Sequence, residues 1–209
     1  MAECVNYDSE SRDYYCEVIL DEAEKMNRMV KQLLSLSHLE SGQEMLQVQR
    51  FDLTELLQGV IQKVSVLLEQ NKIVLLFSEK DPMYVWGDEF KIEEVLTNYI
   101  SNAIHYAKVV AGEKQIRIYY TKRETYVRVH VFNTGDVIPE KSLPEIWTKF
   151  YKVDKARTRE YGGSGIGLSI VKAILESMHQ AYGVNNTKNG VEFWMELESG
   201  CISDKNMIE

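Results

Sequence analysis

The sequence predicts an α+β fold, a two-layer α/β sandwich preceded by a long amphipathic helix, and three stretches predict it. Ile92, Val95, Leu96, Tyr99, Ile100 and Ala103 recur at helical spacing. Ile116, Ile118 and Tyr120 alternate with polar residues, as do Val127, Val129 and Val131 after residues 122–125, which is the pattern of an antiparallel hairpin. A further amphipathic helix over residues 165–179 leads into two strand patterns at 181–184 and 191–197.

Taken from the start, residues 1–12 are polar and expected to fray. Residues 13–40 are strongly helical, with Ile19, Ala23, Met26, Val30 and Leu33 at alternating steps of four and three. Met29 and Leu36 widen the stripe, while Glu22, Lys25, Arg28 and Gln32 lie off it. Such a coiled-coil-like seam suits either a bundle completed by another chain or packing on the helix's own domain, and its length before Ser41-Gly42 favours the bundle. Residues 48–53 read as a short strand, and Asp52 or Thr54 can cap a helix running to about residue 70. Residues 72–78, with five apolar side chains from Ile73 to Phe77, read as a buried strand. Trp86-Gly87-Asp88 reads as a turn, with Asp88 capping the helix that follows. Residues 133–163 read as a loop region holding one apolar segment at 143–151. The expected divisions are a helical region over 1–46, a main domain over 47–199 and a tail over 200–209.

Composition narrows the function. With 44% hydrophobic and 27% charged residues in 209, the chain has an ordinary globular balance. A net charge of −8 argues against nucleic acid as a partner, because that binding needs Lys and Arg against phosphates. No apolar run approaches membrane-spanning length, and no signal-peptide pattern is present. Cys4, Cys16 and Cys201 are odd in number and widely spaced, so a reducing cytoplasm is the expected setting.

Two features carry chemistry. Asn98 and Asn102 lie at i and i+4, so their amides share one face of a helix that is otherwise apolar, and burying such groups is costly unless something satisfies them. Sixty residues on, Gly162-Gly163-Ser164-Gly165-Ile166-Gly167-Leu168 leads straight into a helix. It lacks the preceding strand of a dinucleotide fingerprint and the GK[ST] of a P-loop. What remains is a row of main-chain N–H groups at a helix start, a natural anion cradle. An amide face and an anion cradle in one domain imply a nucleotide held between them. The charged segment 152–161, bordered by glycine, is expected to form a mobile lid, in which Lys152, Arg157 or Arg159 either neutralises phosphate or lies solvated.

Together these stretches resemble the catalytic part of a bacterial two-component sensor histidine kinase. Residues 94–107 resemble the kinase N box, and Phe132-Asn133-Thr134-Gly135 with Ile138-Pro139 resembles the first glycine box. Ile146-Trp147-Thr148-Lys149-Phe150-Tyr151 is similar to the F box, and residues 163–168 are similar to the second glycine box. The resemblance implies a Bergerat-type fold that binds ATP with Mg²⁺. It assigns catalysis to Asn98 and Asn102, with Asn102 as the magnesium ligand. It also places His105 near the phosphates, Tyr106, Asn133, Thr134 and Gly135 near the base, and Ile138 in the same ATP site. Phe150, Tyr151, Lys152, Arg157, Gly163, Ser164, Gly165, Ile166, Gly167 and Leu168 complete the implied ATP site. Two positions depart from the family pattern: His105 replaces a Lys or Arg, and Asn133 replaces the aspartate that accepts from the adenine amine. An amide oxygen can accept the same bond without the charge.

The family's phosphoacceptor motif has no counterpart, since His38, His105, His130 and His179 all stand in other contexts. Helix 13–40 instead resembles the second helix of the dimerisation and phosphotransfer hairpin. The chain is therefore expected to supply the ATP-binding part of a kinase whose phosphoacceptor helix lies elsewhere. That kinase would be a homodimer, anchored in the cell membrane by upstream segments and paired with a response regulator. Two alternatives stay open: a gyrase- or chaperone-like ATPase of the same fold, and a non-catalytic nucleotide-sensing module. The first would need a general-base glutamate where this chain has Asn98.

Overall fold

The computed structural model describes residues 9–42, 45–153 and 164–200. Helix α1 (Ser9–Glu40) leads into strand β1 (Gln49–Asp52), helix α2 (Leu53–Gln70) and strands β2 (Ile73–Leu76) and β3 (Tyr84–Gly87). Helix α3 (Glu89–Tyr106), the hairpin β4 (Lys114–Lys122) and β5 (Tyr126–Thr134), helix α4 (Gly167–Ser177), and strands β6 (Tyr182–Thr187) and β7 (Gly190–Glu198) follow. The strands form one sheet in the order β1-β3-β7-β5-β4-β2, with β6 also paired to β7. Helices α2, α3 and α4 cover one face, so the expected two-layer α+β sandwich is borne out.

The core follows from the two periodicities meeting. Val127, Val129 and Val131 of β5 and Val191, Phe193, Met195 and Leu197 of β7 point to the helices. They meet Ile92, Val95, Leu96, Tyr99 and Ile100 of α3 and Ile170, Val171 and Ile174 of α4. Each such side chain contributes about 1.5–3 kcal/mol on burial. Tyr99 is the one large polar-tipped member, and its hydroxyl donates to the Trp194 carbonyl at 3.2 Å. Asp52 proves to be the α2 cap: its Oδ1 accepts from Thr54 N and Glu55 N and also from Met83 N, tying the cap to the β2–β3 loop.

Three expectations need correction. The turn read at residues 86–88 is the end of strand β3, which is too short for alternation to show, since only Val85 of Tyr84, Val85 and Trp86 is fully buried. The run read as a buried strand at residues 72–78 is an edge strand of four residues whose Val74 and Leu76 are exposed. That strand runs parallel to β4, the single parallel pairing among the described strands. The apolar segment at 143–151 holds a 3-10 turn, Glu145–Trp147, after another at Glu140–Ser142.

Helix α1 divides in two. Leu36 and Leu39 enter the shared core, with Met29 and Leu33 packed against it, whereas Ile19, Met26 and Val30 face solvent. No helix among the described residues is long and apolar enough to cross a membrane.

Candidate functional site

Helix α3 is the backbone of the site. Asp88 holds its start, with Oδ1 accepting from Lys91 N at 3.2 Å and Oδ2 from Gln47 N at 2.9 Å. The apolar stripe buries one side of α3, leaving Asn98, Asn102 and Tyr106 in a row along its rim. At 1.5 Å rise per residue, that row spans about 12 Å.

At one end of the row, α3 meets α4. Asn98 Nδ2 donates to the Glu94 carbonyl at 2.9 Å, which turns Oδ1 toward Gly167. A Cβ at Gly167 would stand 2.5 Å from that oxygen, so the glycine lets α4 begin here with the Asn98 amide left in place. Ile166, just before α4, makes no side-chain cap bond, leaving the first N–H groups of α4 unclaimed by a cap. The Ile166 side chain is fully buried, and this residue reaches the loop through its main chain; its N–H donates to Ser164 Oγ at 3.3 Å. Leu168 packs against the core rather than the loop. Asn102 has no hydrogen-bond partner among the described residues.

The segment before the glycines folds back over them. Phe150 sits at φ 63, a conformation that costs a bulky residue, and its N–H donates to the Gly165 carbonyl at 2.8 Å. Gly165 is itself left-handed, at φ 72, with the Lys152 side chain lying across it. Tyr151 is anchored through its hydroxyl, which donates to Ser142 Oγ at 2.9 Å. The Phe150 side chain is left 55% exposed. Ser164 is also touched from α1, where Gln32 Oε1 accepts from its hydroxyl at 3.3 Å.

At the other end of the row lies the terminus of β5. Asn133 and Thr134 are buried. The Thr134 hydroxyl donates to the Lys108 carbonyl at 2.8 Å and accepts from Gln115 N at 2.9 Å. Gly135 N–H donates to the Asn189 carbonyl, and a Cβ on Gly135 would come within 2.7 Å of the Tyr106 carbonyl. Gly135 therefore lets α3 and β5 close on each other. Asn186 clamps Ile138 by accepting from its N–H at 2.9 Å and donating to its carbonyl at 2.7 Å. His105 and Tyr106 are exposed at the end of α3, with ring centres 6.0 Å apart.

The sequence-predicted residues thus gather along α3 in two groups, one around Asn98, Asn102 and 164–167, the other around Tyr106, Asn133 and Gly135. Arg157 and Gly163 lie outside the described residues, as does most of the expected lid at 152–161. Three contributors escaped the sequence: Gln32 from α1, the Lys108 main chain and Asn186. Nothing local marks them, since each acts across a tertiary contact. For a cation, the described residues offer no cluster of three His, Cys, Asp or Glu. The neutral Asn102 oxygen fits Mg²⁺ only as one ligand among phosphate and water oxygens, the usual manner of that ion at phosphates.

The family model described as "Histidine kinase-, DNA gyrase B-, and HSP90-like ATPase" matches residues 87–200. The chain is 28% identical over 211 residues to a sensor protein kinase WalK of Staphylococcus epidermidis, covering 97% of this chain and 33% of that protein. It thus spans about a third of that relative's length. Among solved structures, the nucleotide-free catalytic domain of histidine kinase ThkA is 28% identical at a TM-score of 0.64, covering 74% of this chain and 97% of that one. ThkA in complex with the response regulator TrrA is also 28% identical, at a TM-score of 0.70 over 92% of this chain and 53% of that one.

Proposed function

The chain belongs to the histidine kinase-, DNA gyrase B- and HSP90-like ATPase family, and on that premise we propose that it is the ATP-binding catalytic part of a two-component sensor histidine kinase. It transfers the γ-phosphoryl of Mg-ATP to a histidine on a helix absent from this chain, for relay to a response regulator. A P–N bond to the imidazole forms as the P–O bond to ADP breaks. The observation that carries this reading is the row of Asn98, Asn102 and Tyr106 along α3, closed at its ends by Gly167 and Gly135. The spacing matches a nucleotide laid along the helix, with phosphates toward α4 and base toward β5.

Phosphoryl transfer leaves little covalent work to the protein, which acts by positioning and by neutralising charge. The start of α4 supplies N–H groups and the positive end of a helix dipole to the phosphates. Lys152, drawn across Gly165, supplies a mobile cation. Magnesium would supply charge neutralisation at the phosphates, and Asn102 would hold it through its neutral amide oxygen. Asn98 holds the start of α4 against α3; as an amide it cannot take a proton from water, which disfavours the hydrolase reading.

The complex of ThkA with TrrA supports a response regulator as the downstream partner. The solvent-facing Ile19, Met26 and Val30 of α1 support a bundle completed by a second copy and by the phosphoacceptor helix.

The experiment is calorimetric titration with a non-hydrolysable ATP analogue, with and without Mg²⁺, on this chain and on Asn102→Asp. Magnesium-dependent binding that changes in the variant is expected. No binding at millimolar nucleotide would overturn the reading.

A further inference from the structure

A cleft of about 410 Å³ lies between the last turn of α1, the segment around Trp147 and α4, and none of the residues assigned to the nucleotide lines it. Its volume falls in the ordinary range of ligand pockets, about 300–1,000 Å³. Leu39, Trp147 and Ala173 give it an apolar wall. The Trp147 ring is held edge-on by Tyr182 and Phe193, at centroid distances of 4.8 and 6.0 Å. Its indole N–H has no hydrogen-bond partner among the described residues.

The charged part of the lining is balanced and only half paired. Lys149 and Glu40 are bonded at 2.7 Å, whereas Lys172 and Glu176 stand 3.9 Å apart, beyond hydrogen-bond reach. Lys172 Nζ has no hydrogen bond among the described residues, and Glu176 engages one oxygen, Oε1, which accepts from the Tyr182 hydroxyl at 2.9 Å. The hydroxyls of Thr148, Ser169 and Ser177 donate to main-chain carbonyls three residues back, so they are already committed. The cleft thus combines an apolar wall with an ammonium and an indole N–H that lack acceptors, and a carboxylate oxygen that lacks a donor.

We propose that this cleft is a further ligand site, which takes a free α-amino acid bearing an apolar side chain. The ligand carboxylate meets Lys172 and the Trp147 N–H, its ammonium meets Glu176, and its side chain lies against Leu39, Trp147 and Ala173. A ligand of one charge would face a like charge from Glu40 and Glu176 or from Lys149 and Lys172, whereas a zwitterion answers both signs. The separation of Lys172 from Glu176 suits two charges carried side by side on one α-carbon. Both side chains are about half exposed, so each charged contact is modest and apolar burial supplies the rest of the affinity. Leu39 and Glu40 come from α1, so the bound ligand fastens that helix to α4, whose start forms the anion cradle. No nucleotide contact enters this site, which stands or falls independently of the ATP reading.

The test is titration of the whole 209-residue chain with L-phenylalanine, followed by proton–nitrogen NMR at the indole N–H of Trp147, which Trp147→Phe identifies by its loss. The same titration is run with 3-phenylpropanoate, which lacks the ammonium, and with 2-phenylethylamine, which lacks the carboxylate. A saturable shift is expected with L-phenylalanine, and each analogue is expected to bind at least about threefold more weakly, the scale of a half-exposed charge pair. Lys172→Gln is expected to abolish the preference over 2-phenylethylamine while keeping the preference over 3-phenylpropanoate. No saturable shift with L-phenylalanine, or equal affinities for the three compounds, would overturn the proposal. So would a Lys172→Gln protein in which both preferences survive. If circular dichroism shows either variant unfolded, the ranking of the three compounds by calorimetry on the unaltered chain decides alone.

Discussion

Gly167 shows how much one missing methyl group can decide. Placing a Cβ 2.5 Å from Asn98 Oδ1 forces either α4 or the asparagine to move. Gly167→Ala is expected to cost about 1–3 kcal/mol, as other overpacked contacts do, and to weaken nucleotide binding, which denaturant unfolding and titration would register separately. Retained affinity with lowered stability would mean that Asn98 is only structural. On the opposite face of the sheet, the Glu192 carboxylate accepts from His130 Nδ1 at 3.1 Å and from the Tyr119 hydroxyl at 2.6 Å. The bond from His130 first, and that from Tyr119 after it, hold its carboxyl below the ordinary value against the opposing effect of burial. The Tyr119 hydroxyl is pushed up to about 12, by burial first and then by Glu192. A depressed carboxylate stabilises the fold above the unfolded pKa of about 4.3 and loses that contribution as pH falls through the folded value. Stability should therefore drop less steeply between pH 6 and 3 in Glu192→Gln than in the unaltered chain. Thermal melts across that range would show it; parallel curves would contradict the assignment.

At the scale of elements, α1 belongs half to the domain and half to something else. Its C-terminal half is bound to α4 and the segment around Trp147 through Leu36 and Leu39, with a Lys149–Glu40 ion pair at 2.7 Å on the surface. The exposed ion pair is worth about 0–1 kcal/mol, so the leucines carry the attachment. Leu36→Ala should cost about 2–5 kcal/mol by leaving a cavity. Met26→Lys, in the exposed half, should change stability by less than about 0.5 kcal/mol. Equal losses for the two in denaturant titrations would show that the whole helix is docked. Because Gln32 also reaches Ser164, the docked half of α1 borders the glycine loop directly.

For the whole molecule, one continuous core runs from Leu36 to Leu197, so binding at the rim of α3 should stabilise everything that shares it. A ligand held at a hundred times its dissociation constant adds about 2.7 kcal/mol. In a chain of this size that raises the melting temperature by roughly 5–10 °C. Magnesium with an ATP analogue should give that shift in scanning fluorimetry. Two separate transitions, of which only one moves, would mean that α1 melts independently of the rest.

Residues 92–103, 116–131 and 191–197 announced their elements because each buries a single face, and burying one face imposes a period on the sequence. The glycines at 165 and 167, and the paired amides at 98 and 102, were legible for a related reason: a missing side chain or an amide on an apolar helix has few other uses. Strand β3 and the edge position of β2 were not legible, because a four-residue strand is too short for a period and apolar composition does not say which neighbours a strand will have. Asn186 clamping Ile138, Gln32 reaching Ser164 and Thr134 orienting Asn133 were likewise invisible, although every one of those residues is plain in the sequence. The sequence by itself determined the periods, the caps and the chemistry available. The tertiary structure decided which groups face one another, since hydrogen bonds and close approach depend on distances that only the packed chain sets.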